Sequence, residues 1–243
     1  MAKILKCTYR ERDSEPYEVN LELPDQISAL TAEWIPNKAF LESVVVPEGI
    51  THIKASTFSS CEKLISASLP EGLLGIEYQA FAGLSYLEHI NLPKSLIDIG
   101  AAVFKNDESL CSIDIPSSIK TIETSFFEGC SNLYDVTIQD GVQVIGPHAF
   151  SDCGFFTLKL PSSILEIKQS AFEGCTLLES LDLPEGIVSI GPCSFKGCDN
   201  LKSVKIPSSL ENIGKKSFAL CDNLKEMIIS PDAAAKLLSK LYS

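Results

Sequence analysis

The sequence predicts a repeat solenoid: a right-handed coil of about nine 23-residue units, with a parallel β-sheet on the concave side and short extended or 3-10 segments on the convex side. Two observations predict it. A phenylalanine recurs every 23 residues, apart from one step of 22, and a phrase such as "LEHINLP" or "LKSVKIP" follows it at a fixed distance. The recurring phenylalanines are Phe58, Phe81, Phe104, Phe127, Phe150, Phe172, Phe195 and Phe218.

A single unit carries too little apolar surface to fold alone. Burying its roughly six apolar side chains contributes about 9–18 kcal/mol. Ordering 23 residues of backbone costs roughly 23–46 kcal/mol. Stacked units share apolar faces and ladder hydrogen bonds, so the pattern requires one continuous core.

The N-terminal residues 1–23 predict a β-hairpin that covers the first turn of the solenoid. Apolar residues alternate at Leu5, Cys7 and Tyr9 and again from Tyr17 to Leu23, with a polar turn between the two runs. The solenoid itself is predicted over residues 24–229, and its first unit, residues 24–46, follows the pattern only loosely.

Each unit of the solenoid predicts three local structures. The period-2 pair in L-x-x-I-x-I-P, such as Ile90 and Leu92, points inward from a short strand, and proline ends that strand. A second extended piece is predicted around the I-G phrase, and a tight helical turn at A-F-x-x-C. Like structures in successive units then lie side by side.

The C-terminal residues 230–243 predict a helical cap. Ser230 suits the N-cap position and Pro231 the first helical position. Leu237, Leu238 and Leu241 would form the apolar stripe that covers the last unit. The alternative interpretation is that this helix binds a partner.

The full pattern L-x-x-[IL]-x-[IL]-P-x-x-[IL]-x-x-I-G-x-x-[AS]-F-x-x-C resembles the BspA-like, Treponema-type leucine-rich repeat family over residues 24–229. The resemblance implies a curved, ligand-binding solenoid without catalysis, and some members of the family are cell-surface adhesins. The sequence departs from the commoner leucine-rich repeat, because Gly or Ser stands where that repeat has Asn or Cys. An asparagine ladder is therefore not expected.

Six of the nine cysteines occupy one position of the repeat, three residues after the phenylalanine. Equivalent side chains in stacked strands keep their Cβ atoms about 5 Å apart, which is too far for a disulfide. We therefore expect buried thiols that act as small apolar side chains. Cys7, Cys111 and Cys193 break the pattern, and a free thiol with a redox role is the alternative interpretation. So many thiols also favour a reducing compartment. These cysteines are Cys61, Cys130, Cys153, Cys175, Cys198 and Cys221.

No motif in the sequence indicates an enzyme, a cofactor or a metal site. The sequence lacks G-x-S-x-G, H-E-x-x-H and a phosphate-binding glycine loop, and His52, His89 and His148 fall at different positions of the unit. Asp107 stands where other units have Cys or Leu. Because a buried, unpaired carboxylate is costly, we expect Asp107 to loop outward, with a functional kink as the alternative.

The net charge of −12 and pI of about 4.7 disfavour nucleic acid and anionic membranes as partners. The sequence has no visible secretory signal, no N-x-S/T acceptor and no apolar run long enough for a membrane helix. We therefore expect a cytoplasmic chain, with the cell surface, reached by a non-classical route, as the alternative. Protein partners are the first expectation, and a glycan or a host surface is the second.

The candidate binding residues point outward from the predicted strands, onto the concave face. They are small, polar and weakly acidic, so a plain solvated sheet is the alternative interpretation. The loops near Tyr86, Tyr134 and Phe156 form a second candidate surface. The concave-face candidates are Ser66, His89, Asn91, Ser112, Asp114, Asp135, Thr137, Thr157, Lys159, Asp182 and Lys205.

Three functions fit these observations. The first is a non-catalytic protein-binding module or scaffold. The second is an adhesin-like surface protein, which the family resemblance implies. The third is a structural component of a larger assembly.

Overall fold

The computed structural model describes residues 2–12 and 14–235, which wind into a solenoid of about nine turns. The predicted repeat solenoid is confirmed. In chain order the strands are β1 (Lys3–Tyr9), β2 (Tyr17–Leu23), β3 (Ala29–Leu30), β4 (Leu41–Val45), β5 (His52–Ile53), β6 (Ser66–Ser68), β7 (Gly75–Ile76), β8 (His89–Ile90), β9 (Asp98–Ile99), β10 (Ser112–Ile115), β11 (Thr121–Ile122), β12 (Asp135–Ile138), β13 (Val144–Ile145), β14 (Thr157–Lys159), β15 (Glu166–Ile167), β16 (Ser180–Asp182), β17 (Ser189–Ile190), β18 (Ser203–Ile206), β19 (Asn212–Ile213) and β20 (Glu226–Ile229).

From β3 onward, strands of two to five residues alternate between two sides of the coil. One side carries the even-numbered strands from β4 to β20, which are the strands of the L-x-x-I-x-I-P motifs. We call the outward surface of this side the strand face. The other side carries the two-residue strands of the I-G phrases, from β3 to β19. Neighbouring strands on each side pair in parallel with equivalent residues opposite one another, as Ser66 is opposite His89.

Strand pairing breaks at one junction on both sides of the coil, and the strand face has a second break, between β12 and β14. On the strand face, pairing runs in the orders β2-β1-β4-β6-β8, β10-β12 and β14-β16-β18-β20. On the opposite side it runs in the orders β3-β5-β7-β9 and β11-β13-β15-β17-β19. The unit that ends at β9 and the unit that begins at β10 are thus joined through neither sheet.

The recurring phenylalanines form a continuous stack inside the coil. Phe150 lies 5.3 Å from Phe127 and 5.4 Å from Phe172, measured between ring centroids, and both pairs are nearly parallel. All eight rings but Phe218 are buried, and Phe218 packs on the core at its end. The fixed spacing of the sequence thus places one ring per turn on a common axis.

The turn around each phenylalanine uses left-handed backbone. The residue two positions before the ring has a positive φ in every unit from Ser56 to Lys216, for example 56° at Ser125. A third ladder of backbone hydrogen bonds joins these turns, as in Phe104 N–H to the Phe126 carbonyl at 3.0 Å. The predicted tight turn is therefore a repeated, hydrogen-bonded corner.

The cysteines of the repeat are unpaired, and all but Cys221 are buried, as expected. From Cys130 onward, each thiol donates a hydrogen bond to the carbonyl of the phenylalanine in the preceding unit, for example Cys175 Sγ to Phe150 at 3.0 Å. Burial raises the pKa of Cys61 and of Cys175 to about 12. A thiol held neutral in this way is a poor nucleophile.

Asp107 corrects one expectation. It does not loop outward: its side chain is 0% exposed and occupies the place of the cysteine in its unit. One carboxyl oxygen accepts a hydrogen bond from Leu84 N–H at 2.8 Å, and the other has no partner among the described residues. The backbone keeps the regular turn here, so the side chain has no route to solvent. Burial instead raises the pKa of Asp107 well above its usual range.

The N-terminal segment forms an antiparallel hairpin, and its β1 also pairs antiparallel with β4. This reversal of direction ends the parallel sheet on the N-terminal side of the coil. At the other end, residues 231–235 are helical and Ser230 Oγ accepts a hydrogen bond from Ala233 N–H at 3.2 Å. Leu237, Leu238 and Leu241, predicted to cap the last unit, lie outside the described residues.

Candidate functional site

The eleven predicted binding residues all lie along the strand face or just beyond its strands. Nine side chains are exposed, and Ser66 and Ser112 are half-buried. The register places Asp114 opposite Thr137, and Asp182 between Lys159 and Lys205. The strands thus arrange the candidates in two columns, as the period-2 pattern predicts.

The charges of the strand face are unevenly distributed. Asp114 and Asp135 lie on β10 and β12, and neither is in an ion pair within the described residues. On β14 to β18, charges of opposite sign alternate through Lys159, Asp182 and Lys205. The face therefore presents an acidic middle next to a region of mixed charge.

The N-terminal part of the strand face is a shallow trough of about 360 Å³, formed because its side chains are small. Asn91 at its margin is committed to the fold, since its side-chain amide exchanges two hydrogen bonds with the backbone of Leu69. The trough lining includes Ser43, Val45, Ser66, Ala67, Ser68, His89 and Ser112.

A second concave surface, which we call the lateral groove, lies beside the strand face where the strands begin. It has a volume of about 460 Å³. Its exposed aromatic side chains are Tyr134 and Phe156, at 57% and 53% exposure. The backbone amide of Tyr134 donates to the Cys111 carbonyl at 3.2 Å, and the neighbouring Cys111 thiol raises the pKa of Tyr134. The groove is lined by Glu88, Ser109, Cys111, Ser131, Asn132, Tyr134, Gly154, Phe156 and Leu177.

The lateral groove contains the one irregularity in the spacing of the repeat. The phrase Cys153-Gly154-Phe155 is one residue shorter than the equivalent phrases of other units, and Gly154 lines the groove. A Cβ atom on Gly154 would lie only 1.9 Å from the carbonyl oxygen of Ser131. The shortened turn therefore approaches its neighbour closely and requires glycine.

Sequence reasoning located only part of this groove. It singled out Tyr134 and Phe156, together with Tyr86, which is exposed but is not among the lining residues. It missed Glu88, Cys111 and Leu177, because they reach the groove from neighbouring units. The short phrase at Gly154 was the available signal, since a missing residue in one turn opens a notch between the turns on either side.

The described residues hold no group of three His, Cys, Asp or Glu side chains placed to bind a metal ion. His89 is exposed on the strand face, and His52 and His148 are half-buried elsewhere. Within residues 2–12 and 14–235, no helix has both the length and the apolar character needed to cross a membrane.

Comparison with protein families gives one clear match. The family model for the BspA type leucine rich repeat region matches six copies, over residues 32–155 and 143–237. A comparison of the sequence with curated proteins finds no match.

Comparison with solved structures gives similar repeat proteins. A leucine rich cell surface protein from Faecalibacterium prausnitzii is 29% identical, with a TM-score of 0.56, over 82% of this chain and 62% of that one. The pneumococcal vaccine antigen PcpA is 26% identical, with a TM-score of 0.50, over 79% of this chain and 58% of that one. The leucine rich repeat protein of Treponema pallidum, at 24% identity and a TM-score of 0.52, covers 77% of this chain and 74% of that one, and it supports the fold alone. The chain thus spans less than two thirds of the Faecalibacterium and pneumococcal proteins.

Proposed function

The chain belongs to the BspA-type leucine-rich repeat family, and we propose that it is a non-catalytic module that binds protein partners through its strand face. The observation that carries the proposal is the row of polar side chains, most of them exposed, across successive strands that are backed by a buried stack of rings. A rigid, extended surface of this kind binds a partner without paying the ordering cost of a flexible one.

The candidate residues of the strand face are those named from the sequence, from Ser66 to Lys205. Their chemistry suits a polar contact of modest affinity, because the face lacks the Trp, Tyr and Arg side chains that dominate tight interfaces. The unpaired Asp114 and Asp135 favour a partner region with some positive charge.

A cell-surface ligand-binding protein is the second candidate. It is favoured by the description of the Faecalibacterium relative as a cell surface protein. The comparisons offer no support for the cytoplasmic location expected from the sequence, whereas the surface alternative agrees with that relative. Since this chain spans about 62% of that protein, its own location and ligand are proposals.

One experiment tests both candidates. The tagged full chain is purified at native abundance from cells whose surface proteins were first biotinylated, and co-purifying proteins are quantified by mass spectrometry. We expect specific partners that are depleted at least fivefold by the double variant Thr137→Arg, Asp182→Arg, because both substitutions place long charged side chains on the strand face.

The control variant Glu211→Arg changes an exposed residue on the opposite side of the coil and should retain the partners. Partners that bind the wild type and the double variant equally would remove the strand face from the proposal. An unlabelled chain in intact cells would rule out the surface candidate.

A further inference from the structure

We propose that the lateral groove is the anchoring site of the protein-binding surface, and that it takes a partner segment in which Lys or Arg stands next to an aliphatic side chain. The inference rests on the proposed function, because it names the kind of partner such a module would hold. Three independent features of the groove carry it: exposed aromatic rings, a notch in the repeat, and an acidic margin.

The first feature is the apolar area that the groove leaves exposed. Tyr134 and Phe156 come from adjacent units and are more than half exposed, and Leu177 from the following unit is 38% exposed. Large aromatic side chains concentrate binding free energy in protein interfaces. None of the eleven strand-face candidates is aromatic, so the groove offers the anchors that the strand face lacks.

The second feature is the shape of the groove. Asn132 and Leu177 each lie two residues after the cysteine of their unit. The unit between them, which contains Gly154, lacks a residue at this position, and this leaves a gap between the two side chains. Asn132 is held on one side of the gap, because its side-chain amide donates to the Glu108 carbonyl at 2.8 Å. The groove is thus built from a positioned side chain and from a shortened, close-packed turn.

The third feature is the charge around the rings. Glu88 is the charged residue of the lining, and its carboxylate is exposed; the lining contains no Lys or Arg. The carboxylate of Asp135 lies close enough to contribute to raising the pKa of Tyr134. Glu179 is not counted among the carboxylates of this acidic margin, because its Oε2 lies 2.5 Å from Lys202 Nζ in an ion pair.

Rings next to exposed carboxylates favour a cation. Asp135 is in no ion pair within the described residues, and Glu88 lies 3.9 Å from His89 Nε2. A Lys or Arg side chain over the face of Tyr134 or Phe156 gains a cation–π contact, and the same charge is attracted to Glu88 and Asp135. The aliphatic neighbour then covers Leu177. A phosphate-bearing partner would meet repulsion from Glu88, and a second copy of this acidic chain would bring further negative charge.

The test selects peptides from a display library of random 12-residue sequences against the immobilised full chain. We expect enriched peptides to contain Lys or Arg next to Leu, Ile or Val. Dissociation constants are then measured for the best peptide at low and at physiological salt, and binding should weaken as salt increases.

Three groove variants and two matched controls locate the binding site. Tyr134→Ser and Phe156→Ser should each weaken peptide binding at least tenfold, and Tyr78→Ser, which removes an equally exposed ring outside the groove, should leave binding unchanged. Glu88→Lys should also weaken binding at least tenfold, with Glu211→Lys as its matched control. Because all these side chains are exposed, thermal melting should show every variant folded.

The outcomes separate this inference from the proposed function. Peptides that bind but are insensitive to the groove variants would overturn the inference and leave the protein-binding proposal in place. Enrichment of acidic peptides would overturn it as well. Self-association that is abolished by Tyr134→Ser would assign the groove to a second copy and overturn the basic-segment proposal. Selection of no peptide would count against both proposals.

Discussion

Asp107 is the residue at which the repeat pattern and its environment disagree. Every other unit from Phe58 onward places Cys or Leu at this buried position, and Asp107 keeps the position but adds a carboxyl group. The Leu84 amide satisfies one oxygen and leaves the other without a partner among the described residues. Such a group is held in its neutral form, because burial penalises the charge.

We predict that Asp107 makes stability depend on pH. The pKa of Asp107 is raised in the folded state. Its contribution to the free energy of unfolding is therefore most favourable below the pKa of about 3.9 that it has in the unfolded chain, and this contribution is lost as the pH rises through the folded pKa. Asp107→Cys should remove this dependence and stabilise the protein at pH 7 by at least about 1 kcal/mol, since it removes a buried unsatisfied oxygen. Urea unfolding between pH 4 and pH 8 measures the difference.

The control for this prediction is Asp222→Asn, which changes an exposed carboxyl group near the C-terminal end. It should shift the stability by less than about 0.5 kcal/mol at every pH, as surface substitutions generally do. A wild-type protein and an Asp107→Cys variant with parallel stability profiles would show that folding does not raise the pKa of Asp107.

The phenylalanine stack is the feature that joins one turn of the coil to the next. Rings in the middle of the stack have a neighbour on both sides, as Phe150 has in Phe127 and Phe172. Phe155 adds an edge contact at 6.0 Å to Phe150. The last ring, Phe218, stacks on Phe195 alone among the described residues and is half-buried.

Removal of a ring should therefore cost more in the middle of the stack than at its end. We expect Phe150→Ala to lower the free energy of unfolding by about 3–5 kcal/mol, because it leaves a cavity between two packed rings. Phe218→Ala should cost less than half as much. Chemical denaturation of both variants checks the order, and equal losses would contradict a continuous stack as the source of stability.

The whole solenoid is least connected between its units at β9 and β11. At later junctions the short strands are joined by backbone bonds, for example Gln143 N–H and Val144 N–H to the Lys120 carbonyl and Gly146 N–H to that of Ile122. Within the described residues, the equivalent amides of Lys120, Thr121 and Glu123 have no such bond to the preceding unit. The strand face is also unpaired here, between β8 and β10.

Of the three backbone ladders in the described part of the chain, the third is the one that continues across this junction. Ala102 N–H donates to the Thr124 carbonyl, and Asn106 N–H to that of Glu128 at 2.7 Å. The two halves of the coil are thus joined along the phenylalanine side and open on the other two. This junction is also the place where the buried Asp107 lies, between β9 and β10.

We predict that hydrogen exchange is fastest at this junction. The amides of Lys120, Thr121 and Glu123 should exchange at least tenfold faster than those of Gln143, Val144 and Gly146, because exchange protection follows backbone hydrogen bonding. Residue-resolved exchange measured by NMR compares the two sets within one protein. Equal protection would show that the junction is as closed as the others.

The repeat architecture, the buried thiols and the stacked rings could all be predicted from the order of residues, because a fixed 23-residue period brings equivalent residues together whatever the details of each turn. The strand-face candidates followed from the period-2 pattern for the same reason, and their role in binding stays a prediction.

Three features required the folded coordinates, because they depend on contacts between units and not on the pattern within one. The regular turn carries Asp107 inward, although its charge argued for solvent. Tyr134, Phe156 and Leu177 come from three successive units and meet only when the coil is stacked. The units on either side of the open junction after β9 have the same residue pattern as neighbouring units that are paired. Only the distance between their backbones distinguishes this junction from the others. Periodicity therefore specifies which positions face each other, and packing decides how closely they approach.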